Sequence, residues 1–263
     1  TRTVRDSAAL LDAISGPVPG DPYPHPPAPE SGSFLGALAH APSPLRIGFA
    51  TTIPDGREIH PAAVDAIRRT AAVLEALGHH VEEASPQWDP RMPGNVVSTV
   101  MGVASAKNVE DRLAELGRPL AADDLEPFTR FLHDRALGVP AVAMTEALQE
   151  LEITSRDVAP FFGEYDLWLT ATLAVPVPEL GWLDTTSTEA MFARGGIFSA
   201  LTAVWNVTGQ PAASIPAGLD GDGLPIGVQL VGRHCSEALL LQVAAQLEVA
   251  QPWAPIAPWP PVV

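Results

Sequence analysis

The sequence predicts an α/β protein, a mixed sheet flanked by helices, and three patterns in its 263 residues carry that prediction. Apolar stretches at 45–50 and 79–84 bracket a helical pattern that opens at Pro61. Strand, helix and strand with short joints form a crossover unit, so these two strands are expected to run parallel. Two apolar runs flank Asp220-Gly221-Asp222-Gly223 and read as an antiparallel hairpin, since glycine takes positive φ without steric cost. Between these units, residues 94–163 carry helical periodicity with no strand, an insertion expected to cap the sheet.

The elements follow in order. Thr3-Val4-Arg5-Asp6 reads as a capping box with Asp in place of Glu, and Val4, Ala8, Leu11 and Ile14 form an apolar stripe ending at Gly16. Residues 17–33, rich in Pro, Gly and Ser, are an extended surface connection. Pro61 suits a first helical position; Val64, Ile67, Ala71, Leu74 and Leu77 keep helical spacing up to Gly78. The insertion divides into helices at 96–116, 125–137 and 145–162, with Gly117 and Gly138 as breaks. A strand returns at 166–172. Thr186-Ser187-Thr188-Glu189 is a capping box for the next helix, which Gly195-Gly196 is expected to interrupt. Phe198, Leu201, Thr202 and Trp205 then share one face, with core packing as their first expected role. Residues 226–232 are apolar on both faces apart from Gln229, which predicts a doubly covered strand with a buried amide that needs partners. A last helix from Ser236 buries Leu239, Leu240, Val243, Ala244 and Leu247; the proline-rich tail with Trp253 and Trp259 forms neither helix nor central strand.

Composition narrows the function. A formal net charge of −16, spread along the chain, repels phosphate backbones, so nucleic acid is not an expected partner. No run of apolar residues is long enough for a membrane span, so no membrane partner is expected either, and cytoplasm is the default location. The one cysteine, Cys235, excludes an internal disulfide and reads as a small buried residue.

Asn206-x-Thr208-Gly209-Gln210-Pro211-Ala212, Ser214-x-Pro216-x-Gly218 and Gly223-Leu224-Pro225-x-Gly227-x-Gln229-Leu230-x-Gly232 stand in order around the hairpin, with Glu237 and Leu239-Leu240 beyond. Together they resemble the C-terminal core of the amidase signature family. The opening helix, with the Gly20-Asp21-Pro22-Tyr23 run after it, is similar to the family's helix just past its catalytic segment, in the branch of the general bacterial amidases. The resemblance implies residues 1–263 as the C-terminal part of a single amidase domain, with the helical insertion at about 94–163 either walling the substrate cleft or buttressing it. It also implies hydrolysis of carboxamides to a carboxylate plus ammonia or an amine. The family uses a serine, a second serine on a cis peptide bond and a lysine, without metal. Its substrate cleft lies near the Asn-x-Thr-Gly-Gln-Pro turn. Asn206, Thr208 and Gln210 are therefore candidate hydrogen-bonding groups and Phe198 and Trp205 candidate apolar walls, the alternative being that each only caps or braces its turn. Thr170-Ala171-Thr172 departs from the family's Thr-Pro-Thr, which leaves a pocket role for those threonines open.

The attacking groups are missing from these residues. The only lysine, Lys107, falls inside a predicted helix, where Ser105 two positions away points elsewhere, so it reads as a solvated surface lysine. No two serines are adjacent, and no Gly-x-Ser-x-Gly elbow occurs. His79 and His80 on one strand point to opposite faces and make a poor chelate; Asp123-Asp124 reads as a solvated helix N-terminus. No catalytic residue is assigned, and no metal or cofactor is expected. The expected partners are a small-molecule amide and the N-terminal portion of the same enzyme, with homo-oligomerisation allowed. The alternative is a non-catalytic protein derived from an amidase, which binds a small ligand or completes another chain's site.

Overall fold

The computed structural model describes residues 1–22, 28–54 and 56–254; Tyr23 and Trp259 lie outside them. Helix α1 (Val4–Ile14) starts where the Thr3 side chain accepts from the Asp6 amide at 3.0 Å. Val4 and Ala8 are buried, whereas Ile14 at the frayed end is exposed. The single turn α2 (Phe34–Ala37) is fastened to α1, because both Asp12 carboxylate oxygens accept from its first amides, Phe34 at 2.6 Å and Leu35 at 2.9 Å. Strand β1 (Arg46–Phe49), helix α3 (Pro61–Ala76) and strand β2 (His80–Glu83) make the crossover unit, and the two strands pair in parallel. Gly78, at φ 95°, makes the left-handed turn between helix and strand.

Helices α4 (Met92–Val96), α5 (Gly102–Leu116), α6 (Pro127–Leu137) and α7 (Ala141–Glu164) follow without an intervening strand; a π-helical turn at Val97–Met101 joins the first two. Strand β3 (Leu167–Ala171) returns to the sheet, and α8 (Thr188–Phe198) and α9 (Ala203–Thr208) lead to the hairpin of β4 (Ala212–Leu219) and β5 (Pro225–Gly232). In the hairpin turn, Asp220 Oδ1 accepts from the Asp222 and Leu224 amides, and Gly223 sits at φ 80°. Helix α10 (Glu237–Ala250) closes the fold, burying Leu240, Val243, Ala244 and Leu247 and leaving Leu239 half-buried.

The five strands form one sheet in the order β2-β1-β3-β5-β4, with β1 parallel to β2 and β3 and the hairpin antiparallel to β3. The mixed sheet is thus present as the sequence predicts. Alternation on the fully buried β3 divides the core between two faces. One face carries Leu167 and Leu169, in register with Ile47 and Phe49 of β1, and packs under α3 and α10. The other carries Trp168, whose ring meets Trp205 of α9 edge-on at 5.3 Å, and Trp88 at 6.0 Å. Phe162 of α7 adds a fourth ring, 6.1 Å from Trp205. Gly48 faces the same side, where a Cβ would stand 2.7 Å from Phe161, so helix α7 lies directly on the backbone of β1.

Four local expectations need correction. The N-cap of α8 is Ser187, whose hydroxyl accepts from the Ala190 amide, because Thr186 is already held through its amide and hydroxyl by Asp184 Oδ1. Gly195-Gly196 does not interrupt α8, which runs on to Phe198; the chain breaks at residues 199–202 instead. Phe198 and Trp205 consequently lie on different helices and share no face. Cys235 is exposed, not buried, and stands at φ 61° in the turn between β5 and α10, which the Ser236 amide closes by donating to the Arg233 carbonyl.

Gln229 of β5 is buried, and its amide Nε2 donates to the Leu201 carbonyl at 2.9 Å; Trp205 Nε1 donates to the same oxygen at 2.9 Å. Replacing either residue (Gln229→Met or Trp205→Phe) is expected to cost about 1–3 kcal/mol in denaturant unfolding. The double variant should cost more than the sum, since it strips both side-chain donors from one buried acceptor. Additive losses would contradict that arrangement.

His133 of α6 is buried with Nδ1 2.9 Å from Asp134 Oδ1 and Nε2 2.9 Å from Glu110 Oε1 of α5. Only the imidazolium donates through both nitrogens. The hydrogen bond to Asp134, aided by that to Glu110, raises its pKa above the ordinary 6.5 against the opposing effect of burial. A raised folded-state pKa stabilises fully below the unfolded value, and the stabilisation is lost as pH rises through the folded one. The protection of α5 and α6 amides, corrected for the base-catalysed intrinsic exchange rate, should therefore fall as pH rises above 6.5, and His133→Gln should flatten that dependence.

Candidate functional site

The chemistry of the second sheet face opens into a cavity of about 470 Å³ between α6, α8 and the start of α9. Trp88 forms part of its wall and links it to the core through edge-on contacts with Trp168 and with Trp205 at 5.7 Å. Phe128 of α6 and Phe192 of α8 meet edge-on at 5.4 Å and supply the facing wall, with Leu132 and Met191 beside them. The π-helical turn contributes Ser98. Such turns widen a helix locally and recur at functional sites. Arg91 at the rim is occupied: its guanidinium binds Asp89 through Nε at 3.1 Å and a terminal nitrogen at 2.7 Å, which holds the Asp89 carboxyl down at about 2. Arg57 is the other charged residue of the lining, and the rest of the cavity is mainly aromatic and aliphatic surface in a volume suited to a small organic molecule.

Two larger hollows lie on the α1 side. One, of about 1020 Å³, runs between α1, the loop before α2 and α10; there the Asp12 carboxylate is consumed by the α2 amides. The other, of about 640 Å³, is a groove between α1 and the free edge of β4. Neither has the aromatic walls of the first.

None of the five residues singled out in the sequence lines this cavity; Trp205 touches one of its walls, through Trp88. Phe198 is half-buried and meets Trp182 edge-on at 5.5 Å. Trp205 is a core residue, in edge-on contact with the rings of Trp88, Phe162 and Trp168. Asn206 is exposed, its amide nitrogen 3.5 Å from the Thr202 carbonyl. Thr208 is buried and donates to the Val204 carbonyl at 3.0 Å, one helical turn back. Gln210 is 7% exposed, and its side-chain carbonyl has no hydrogen-bond partner among the described residues. Thr172 and Ser214 join hydroxyls at 2.7 Å across β3 and β4, whereas Thr170 Oγ1 is buried without a partner.

Lys107 is exposed on α5 and ion-paired with Asp111 one turn on, at 2.5 Å. His79 is buried, accepting from the Leu45 amide through Nδ1 and meeting Gln246 through Nε2, while His80 faces outward. Asp124 does not open α6, which begins at Pro127; it binds Arg118 at 2.6 Å, which lowers its carboxyl to about 2. Among the described residues no cluster of His, Cys, Asp and Glu could hold a metal ion, and no helix is long and apolar enough to cross a membrane.

Sequence reasoning missed Trp88, Phe128 and Phe192. Their signal was partly present: Phe192, Gly195, Gly196 and Ser199 recur at helical spacing, one side of a helix facing open space. Reading the glycines as a break concealed it.

Comparison with known proteins is consistent with this geometry. The Amidase family model matches residues 1–241. The 6-aminohexanoate-cyclic-dimer hydrolase of Paenarthrobacter ureafaciens is 38% identical over 262 residues, covering 96% of this chain and 53% of that protein. The putative amidase AmiB2 of Mycobacterium bovis is 33% identical, covering 96% of this chain and 51% of its own length. A solved structure of a 6-aminohexanoate cyclic dimer hydrolase superposes with a TM-score of 0.88 at 36% identity, over 96% of this chain and 54% of that one. That of a bacterial aryl acylamidase, at 23% identity and a TM-score of 0.79 over 96% and 52%, shares the fold. The chain thus spans about half the length of the relatives it matches, their C-terminal portion, and it belongs to the amidase signature family.

Proposed function

We propose that the protein takes part in hydrolysis of a small, neutral carboxamide to a carboxylate and an amine or ammonia, and that these residues supply the cleft holding the substrate. The observation that carries this reading is the aromatic-walled cavity of about 470 Å³ in a chain whose family match runs over residues 1–241. Amide hydrolysis requires a nucleophile, a base to take its proton, and donors for the developing oxyanion. The residues here that bear on these roles are placed for binding. Trp88, Phe128 and Phe192 give an apolar surface for the acyl or amine group. Trp205 and Thr208, bonded to the Leu201 and Val204 carbonyls, hold the helix behind the Trp88 wall, and Asn206, Gln210 and Phe198 stay outside the cavity lining. The serine nucleophile and its proton shuttle come, in this reading, from an N-terminal portion of the same enzyme. The substrate class is supported by the printed names of the hydrolase relatives and by a cavity wall that is mostly aromatic and aliphatic, its charged members being Arg57 and the Asp89-bound Arg91.

One observation favours a second reading, a non-catalytic ligand-binding or partner protein. The single lysine is exposed on the surface of α5 and ion-paired with Asp111.

The 263-residue chain alone should give no turnover of 4-nitroacetanilide above background, and the polypeptide extended to the length of its relatives should turn it over. That second activity should vanish on treatment with a serine-directed fluorophosphonate. Fluorophosphonate-sensitive turnover by the short chain would overturn the division of labour, and binding without turnover by the extended one would establish the second reading.

A further inference from the structure

Helix α8 carries two consecutive glycines, Gly195 and Gly196, in its last two turns. Glycine is among the poorest helix formers, because it loses the most backbone freedom on folding, so a pair inside a helix needs a reason. The usual reasons fail here. Neither residue has the positive φ that would demand glycine. Neither accommodates a close neighbour, since a Cβ built at either position meets no atom within 4 Å. The contrast with Gly48, where a Cβ would stand 2.7 Å from the Phe161 ring, shows what packing necessity looks like in the same molecule. What the pair does share is position: both line the aromatic cavity, opposite the wall that includes Trp88 and one helical turn beyond Phe192. Across from α8, Gly94 of α4 lines the same cavity with the same open space at its missing Cβ.

From this we infer that Gly195 and Gly196 are specificity-determining residues, kept small so that the substrate's hydrocarbon group lies against the backbone of α8. The ligand class is a neutral amide carrying an aliphatic chain of several carbons, laid between the bare helix surface and the Trp88, Phe128 and Phe192 rings. The inference rests on the proposed reading of this cavity as the substrate cleft. Cβ atoms at the two positions would take up the space that a long chain needs and leave a short one unaffected. They would also improve the helix, so the glycines represent stability given up for binding.

The test uses the whole chain, its Gly195→Ala and Gly196→Ala variants, and two probes, N-phenylhexanamide and N-phenylacetamide, with affinity measured by titration calorimetry and stability by thermal unfolding without ligand. The variants should melt about 2–4 °C higher than the parent. Their affinity for the hexanamide should fall about tenfold, with that for the acetamide nearly unchanged. Lower melting temperatures would show that the fold itself requires glycine and would overturn the assignment. So would higher melting with unchanged hexanamide affinity, the result expected if α8 receives protein there and not substrate. A parent chain that binds neither probe removes the cleft reading and this inference with it, whereas a parent that binds and variants that bind equally remove the inference alone.

Discussion

The carbonyl oxygen of Leu201 joins the two halves of this structure. It lies in the break between α8 and α9, and it accepts one hydrogen bond from Trp205, a turn onward, and one from Gln229 on strand β5. The first bond sets the direction in which α9 leaves the break. The second fastens that break to the sheet. A polar group taken out of water without a partner costs more than a satisfied one gains, so two donors converging on one buried acceptor fix geometry more firmly than apolar contact would. Everything on the second face of the sheet inherits its position from that point: the Trp205 ring, the Trp168 and Trp88 rings that meet it, and through Trp88 the wall of the cavity.

The insertion of helices between β2 and β3 then finishes the enclosure. Helix α7 presses on the strand β1 backbone at Gly48, and α6 stands opposite α8 through the Phe128, Phe131 and Phe192 rings. The rigid element is the sheet with its two buried faces. The walls of the cavity are helix surfaces carried by it, which suits a family in which different members hold different substrates on a shared scaffold. The unpartnered carbonyl of Gln210 and the bare glycine surface of α8 are among the places where the chain departs from what stability alone would select.

Much of this was legible in the residues. The crossover unit showed in Pro61, Gly78 and the apolar spacing between them, the hairpin in Asp220 to Gly223, and the doubly covered strand in the apolar run around Gln229, whose need for a partner was foreseeable though the partner was not. Local competition was not legible: nothing in Thr186-Ser187-Thr188-Glu189 says that Asp184 will claim Thr186 first and pass the cap to Ser187. Nor does a strand–helix joint announce that its cysteine will turn outward at φ 61°. The cavity was the least accessible feature, since Trp88, Phe128 and Phe192 come from three segments brought together only by the fold. The turn with Asn206, Thr208 and Gln210 is a dense local pattern in the sequence, and in the structure its side chains bond back into α9 and the residue before it or stay buried, outside the cavity lining.

The proposed cleft is tested most directly by a co-crystal structure with N-phenylhexanamide. The ligand is expected between α6 and α8, with a ring or chain against Trp88 and Phe192 and its hydrocarbon over Gly195 and Gly196. A ligand seated instead in the groove between α1 and β4, with the aromatic cavity empty, would contradict it.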